Sequence, residues 1–233
     1  MKLIKGDCYE EIKKIPDNSV NLIVTDPPYE IVGLHGAGII KDRPYLAQMM
    51  EKDLGIGLDI AILKEFERVQ PNIYIYIWCN KEQIYDYMTY FVKEKNCNFE
   101  IIIWHKTNSP PFTNNHYLKD KEYCLLFWDK KCRINGKYET MGTVYHSGLN
   151  VKDKRLYNHP TIKPLEIIEN FIKNSTKEGD TVLDCFMGSG TTGVACRNLN
   201  REFIGIEIDE NYYRIRKERI ESQHQQINLF DLM

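Results

Sequence analysis

An α/β fold, with a mostly parallel sheet and helices on both faces, is what the 233-residue sequence predicts. Short β-rich runs alternate along the chain with amphipathic helical stretches, the rhythm of strands joined by crossover helices. One strand, glycine turn and helix start stand together from Val182 to Gly193. The length suits one such domain, residues 1–233, and is short for two.

In chain order, Tyr9 to Ile15 is expected to form the first helix and Val20 to Thr25 a buried strand. Leu58 to Val69 reads as a helix, because Ile62, Phe66 and Val69 fall on one face. Asn72 to Trp78 is a strand-sized apolar run, followed by a helix from Lys81 to Lys93. Phe99 to His105 and Tyr123 to Trp128 read as strands. Pro164 to Asn174 reads as a helix, since proline suits a first helical position where no amide hydrogen is needed. Strands at Thr181 to Cys185 and Glu202 to Glu207 alternate with helices at Thr191 to Leu199 and Glu210 to Glu221. Residues 30–57, 106–121 and 129–159 are expected to be loop insertions, and 222–233 a tail.

Composition narrows the function. No stretch approaches the ~18 apolar residues that cross a bilayer, and the start lacks a secretory signal, so no membrane partner and a cytoplasmic location are expected. The seven cysteines include no Cys-x-x-Cys pair, which argues against a metal site or a disulfide framework. The net charge is only −2, so any nucleic acid must be met by a local basic surface.

From Asp184 the chain reads Asp184-Cys185-Phe186-Met187-Gly188-Ser189-Gly190-Thr191-Thr192-Gly193. Glycines allow a sharp turn and close ligand approach, and the following helix start offers free amides. The next strand ends at Glu207, whose carboxylate can accept from both hydroxyls of a ribose. The same glycines satisfy the dinucleotide pattern, and they can also serve merely to cap and pack a helix. Asp184 favours another adenosine ligand, because a carboxylate at the strand tip repels a pyrophosphate but attracts an ammonium.

Earlier in the chain, the strand at Val20–Thr25 runs into Asp26-Pro27-Pro28-Tyr29. The prolines fix the backbone, holding the Asp26 carboxylate and the Pro27 carbonyl in one stiff geometry. Two acceptors beside an aromatic ring suit an exocyclic amine. The acceptors draw its hydrogens and localise the nitrogen lone pair, while Tyr29 stacks on an extruded base.

Together these two segments resemble the β-type amino-methyltransferases of DNA, in which the Asp-Pro-Pro-Tyr motif precedes the cofactor motif. The resemblance extends from Gly6-Asp7-Cys8 through His159-Pro160-Thr161-Ile162-Lys163-Pro164 to the last helix. Segments such as Trp104-His105-Lys106-Thr107-Asn108 are similar to phage or Firmicutes adenine methylases. It implies a Rossmann-like fold with a seven-stranded sheet, S-adenosyl-L-methionine as cofactor, and site-specific methylation of N6 of adenine in DNA. N4 of cytosine, or adenine in RNA, is the alternative substrate. Asp26, Pro27, Pro28 and Tyr29 would hold the target amine. Asp7 and Cys8 would meet the cofactor adenine, and Thr161 and Lys163 its carboxylate. Asp184, Phe186, Gly188, Ser189, Gly190, Thr191 and Thr192 would surround its methionine part, with Glu207 and Ile208 at the ribose. Cys185 departs from the family's usual proline.

Residues 129–159 carry seven basic and three acidic residues. A solvated surface explains such a run, but its place between sheet and cofactor half favours a DNA-facing loop with Lys130, Lys131, Arg133, Lys154 and Arg155 on phosphates. This short recognition region implies a short target or a second subunit, hence a homodimer. In the tail, Gln226-Ile227-Asn228-Leu229-Phe230 resembles the peptide that docks on the bacterial sliding clamp, with Gln226, Leu229 and Phe230 as anchors. The alternative is a tail folded back on its own domain.

Overall fold

The computed structural model describes residues 1–29, 57–109, 117–148, 162–215 and 219–220. Its strands are β1 (Lys2–Lys5), β2 (Leu22–Thr25), β3 (Tyr74–Cys79), β4 (Asn98–Lys106), β5 (Lys121–Trp128), β6 (Val144–Ser147), β7 (Thr181–Asp184) and β8 (Glu202–Glu207). They form one sheet in the order β1-β8-β7-β2-β3-β5-β4-β6. β5 is antiparallel to β3 and β4, and every other neighbouring pair is parallel.

The sheet therefore has eight strands among the described residues, one more than expected. Two short strands escaped the pattern. β1 adds to β8 through Lys2↔Ile204 to Lys5↔Glu207. β6 adds to β4 through Ile103↔Val144 to Lys106↔Ser147, which corrects the irregular reading of 129–159. A 3₁₀ turn at Tyr138–Thr140 also lies in that span. Both strands are four residues long, and neither has a fully buried residue, so apolar runs do not announce them.

The helices are α1 (Cys8–Glu11), α2 (Ile62–Val69), α3 (Ile84–Met88), α4 (Leu165–Ser175) and α5 (Thr191–Asn198), with further helical residues at 210–215 and 219–220. A 3₁₀ turn at Ile12–Lys14 extends α1, and a π-helix at Thr89–Glu94 extends α3. Asp7 caps α1 by accepting from the Tyr9 amide at 2.9 Å. α2 begins later than its apolar face suggests, after an Asp59 carboxylate that accepts from the Ala61 amide. Pro164 sits one position earlier than expected, as the cap of α4.

Strand alternation feeds two cores. Along β3, Ile75, Ile77 and Cys79 pack with Phe66 of α2, Phe91 and Phe127. Tyr74, Tyr76 and Trp78 face the opposite side, with Trp104, Phe171 of α4 and Val194 of α5. Tyr76 stacks on Phe171 with ring centroids 4.3 Å apart. Burial on both faces is what makes β2 and β3 read as continuous apolar runs.

Candidate active site

β2 and β7 lie side by side and parallel, with Leu22 opposite Val182, yet the chain leaves them in opposite directions. β2 continues to β3 on one side, and β7 continues to β8 on the other. Such a switch point opens a crevice beyond the carboxyl ends of its strands. Asp26 follows β2, Asp184 ends β7, and Thr25 donates to Asp184 Oδ1 at 3.1 Å, tying the two strand ends together.

The β7 side is built around Asp184. Its carboxylate also accepts from the Phe186 amide at 3.1 Å and the Thr192 hydroxyl at 2.8 Å. Burial raises its pKa to about 7 against those three donors, none of which is a cation. Gly188 and Gly190 turn the chain with φ of 44° and 74°, a region that favours glycine. Ser189 and Thr191 share a hydrogen bond of 2.8 Å, and buried Arg219 donates to the Ser189 carbonyl at 2.5 Å. Glu207 accepts from the Gly188 amide on one oxygen and from the Asp209 amide on the other, both at 2.9 Å. Gly6 donates to the Glu207 carbonyl, bringing Asp7 beside this strand end. Phe186 is half-buried, and Ile208 is 62 % exposed.

Three carboxylates, Asp7, Asp184 and Glu207, thus follow or end neighbouring strands β1, β7 and β8. That donor set suits a cationic ligand bearing ribose hydroxyls and opposes a pyrophosphate. The residues present fit S-adenosylmethionine and disfavour a dinucleotide.

The β2 side is an ion network. Tyr29 donates to Asp26 Oδ1 at 3.0 Å, and the Lys163 ammonium bonds to Asp26 Oδ2. Lys163 also lies 3.1 Å from Glu122 Oε2 and 3.3 Å from the Tyr29 hydroxyl. Its ammonium faces the Trp78 ring at 5.0 Å and the Tyr29 ring at 5.5 Å. Lys106 holds the other oxygen of Glu122 at 2.5 Å. Gln83, buried and paired with Asn80, donates to the Pro28 carbonyl at 3.1 Å and braces the turn from behind. Burial raises the Asp26 carboxyl; Lys163 opposes that rise and Glu122 adds to it. For Glu122, burial also pushes upward, but Lys163 and Lys106 outweigh it and hold the carboxyl at about 2.

The structure brings the two sequence motifs to one crevice. The Lys163 ammonium sits on Asp26 and Glu122, in the β2 half of the crevice, where two carboxylates and a phenol surround it. Pro27 is buried and Pro28 half-buried. Cys8 is buried, and desolvation pushes its thiol up to about 12, the wrong direction for a nucleophile. Lys130, Lys131 and Arg133 are exposed just beyond β5. Thr161, Lys154, Arg155, Gln226, Leu229 and Phe230 lie outside the described residues.

Thr25, Gln83, Lys106, Glu122 and Arg219 were not anticipated. Thr25 carried a signal, as the polar end of an otherwise apolar strand. Glu122 carried only its place at the start of a strand.

A family profile described as DNA methylase matches residues 20–218. The chain is 30 % identical to the type II methyltransferase M2.DpnII of Streptococcus pneumoniae, over 97 % of this chain and 91 % of that protein. It is 31 % identical to the type II methyltransferase M2.LlaDCHI of Lactococcus lactis subsp. cremoris, over 94 % and 88 %. Among solved structures, that of the M1.HpyAVI–SAM complex superposes with a TM-score of 0.68 at 30 % identity, covering 94 % of this chain and 98 % of that one.

Proposed function

Because the chain belongs to the N6/N4 DNA methylase family, we propose that it transfers a methyl group from S-adenosylmethionine to N6 of adenine in DNA. The observation that carries this reading is the pairing of the Asp26–Tyr29 turn with the carboxylate-rich glycine turn across one switch point. Adenine rests on the aspartate that opens the Asp-Pro-Pro-Tyr motif, since adenine enzymes commonly carry aspartate there and N4-cytosine enzymes serine.

When bound, the cofactor supplies a methyl group on a positively charged sulfur. Asp26 and the Pro27 carbonyl accept the two hydrogens of the target amine and aim its lone pair. Tyr29 stacks on the extruded base, worth ~1–3 kcal/mol for a base–aromatic contact. Positioning of this kind supplies much of the acceleration. As the N–C bond formed, the methyl–sulfur bond would break with its electron pair left on sulfur; the amine would become cationic, and the Asp26 carboxylate, 26 % exposed, would take its proton and pass it to water. On the other side, Asp184 faces the methionine ammonium and Glu207 the ribose. Asp7 and Cys8 would border the adenine.

Asp26→Ala should bind S-adenosylhomocysteine with unchanged affinity in calorimetry while losing at least a hundredfold in turnover, the order supplied by a positioned acid–base group. Near wild-type methylation by that variant rejects the mechanism. Nuclease digestion and mass spectrometry of the methylated DNA identifies the base, and N4-methylcytosine overturns the adenine reading.

DNA approaches over the basic segment beyond β5, where Lys130, Lys131 and Arg133 are exposed and Lys154 and Arg155 follow in sequence. Phosphate contacts there weaken as salt rises. Two partners complete the proposal. The pattern of Gln226, Leu229 and Phe230 supports docking on a sliding clamp. Exposed Phe99 and Ile101 of β4, beside Val144 of β6, support a homodimer.

A further inference from the structure

The Asp26 carboxylate is already occupied. One oxygen accepts from Tyr29 and the other holds Lys163. A target amine competes with them for this carboxylate, and the Lys163 ammonium, which also repels the positive charge the amine gains, is the one that must give way. The Lys163 side chain is only 7 % exposed, so an ammonium pushed off Asp26 cannot turn to water. Breaking a buried ion pair without a replacement costs ~3–5 kcal/mol, enough to keep a base out. Glu122 is the replacement. Its Oε2 lies 3.1 Å from the same ammonium, and Lys106 fixes its other oxygen at 2.5 Å. Glu122 is itself only 14 % exposed. The four groups balance, two carboxylates against two ammoniums, so the Lys163 charge can pass between carboxylates without changing the net charge of the pocket.

We infer that Glu122 is a positioning residue: it takes over Lys163 when the target base enters, freeing Asp26 to grip the amine. This inference rests on the proposed methyl transfer. Glu122 touches neither the reacting nitrogen nor the methyl group; it acts through Lys163. Lys106 keeps Glu122 anchored and ionised while Lys163 lies on Asp26. With Glu122 neutral, Lys163 has one anionic partner, and it blocks that partner.

The test is methyl transfer from tritiated cofactor to unmethylated plasmid DNA, with cofactor affinity measured by calorimetry. Glu122→Gln should lower kcat/KM for DNA by about tenfold or more, leaving the affinity for S-adenosylhomocysteine within about twofold. The double variant Glu122→Gln/Lys163→Met should recover at least a threefold part of that loss, because the blocking ammonium is gone. A merely structural Glu122 predicts a double variant no better than the single one, and that result overturns the inference. Should Glu122→Gln fail to fold, Lys106→Met carries the test. It removes the anchor of Glu122 and should raise KM for DNA with the affinity for S-adenosylhomocysteine within about twofold, and adding Lys163→Met should recover part of that rise; an unchanged or lower KM, or no recovery, overturns the inference. Wild-type methylation with unaltered Glu122→Gln kinetics defeats the Glu122 role alone, whereas no transfer by wild type defeats the proposed function with it.

Discussion

At the residue scale, the glycine turn hangs on a carboxyl group that prefers its proton. An unfolded aspartate ionises near pH 3.8, but Asp184 in the fold does so at about 7. Between those values the folded chain holds a proton that the unfolded chain has lost. Stability of the cofactor-free protein therefore falls as pH rises from about 4 to about 7, by up to ~1.4 kcal/mol per unit, and is level above. Asparagine has no proton to lose and keeps an acceptor for Thr25 and the Phe186 amide. Asp184→Asn should flatten that fall, measured by urea unfolding of both forms at pH 5 and pH 8; parallel pH dependences would reject this account. Asp26 and Tyr29 were legible beforehand because two prolines between them leave the backbone few choices. The pairing of Lys163 with Glu122 was not, since it joins β5 to the approach to α4 across distant sequence. A lone glutamate at a strand start looks the same whether it meets water or two lysines, one of them buried.

At the element scale, apolar runs located every strand of the sheet's centre, and amphipathic faces located the helices that cover it. What they missed had little to bury: β1 and β6 are short edge strands, and edge pairing leaves one side in solvent. The antiparallel direction of β5 was also invisible, because an apolar run has no arrow. Helix α5 tests how closely helix and sheet are fitted. A Cβ on Gly193 would lie 2.5 Å from Ile220 Cδ1 and 2.9 Å from Phe203 Cε1. Alanine improves helix propensity by ~1 kcal/mol, whereas crowding against a buried ring costs ~1–3 kcal/mol. Gly193→Ala is expected to lower the urea midpoint, and a higher midpoint would mean that the ring gives way.

At the scale of the whole molecule, what surrounds the site decides where it works. No helix among the described residues is long and apolar enough to cross a membrane. Sedimentation of the purified chain, alone and with purified sliding clamp, reads both proposed partnerships at once. The clamp should shift wild type but not Leu229→Ala/Phe230→Ala, and the chain alone should sediment at twice its 27.5 kDa mass. Equal behaviour of both forms with the clamp rejects docking through the tail, and a monomer rejects the dimer. The proposed dimer face was not derivable from apolar patterning, because Phe99, Ile101 and Val144 stay exposed on strands that also send residues inward.

The adjacency of β2 and β7 reaches beyond the finished protein. Val182 of β7 has to find Leu22 of β2 after the whole intervening chain has been made. Contacts so remote in sequence form late and slowly. A ribosome-bound chain that has emerged only as far as β6 carries half a crevice, so synthesis itself withholds the activity until both walls stand together. For the same reason, two separately expressed fragments divided ahead of β7 would each be silent, and would regain transfer only by reassociating.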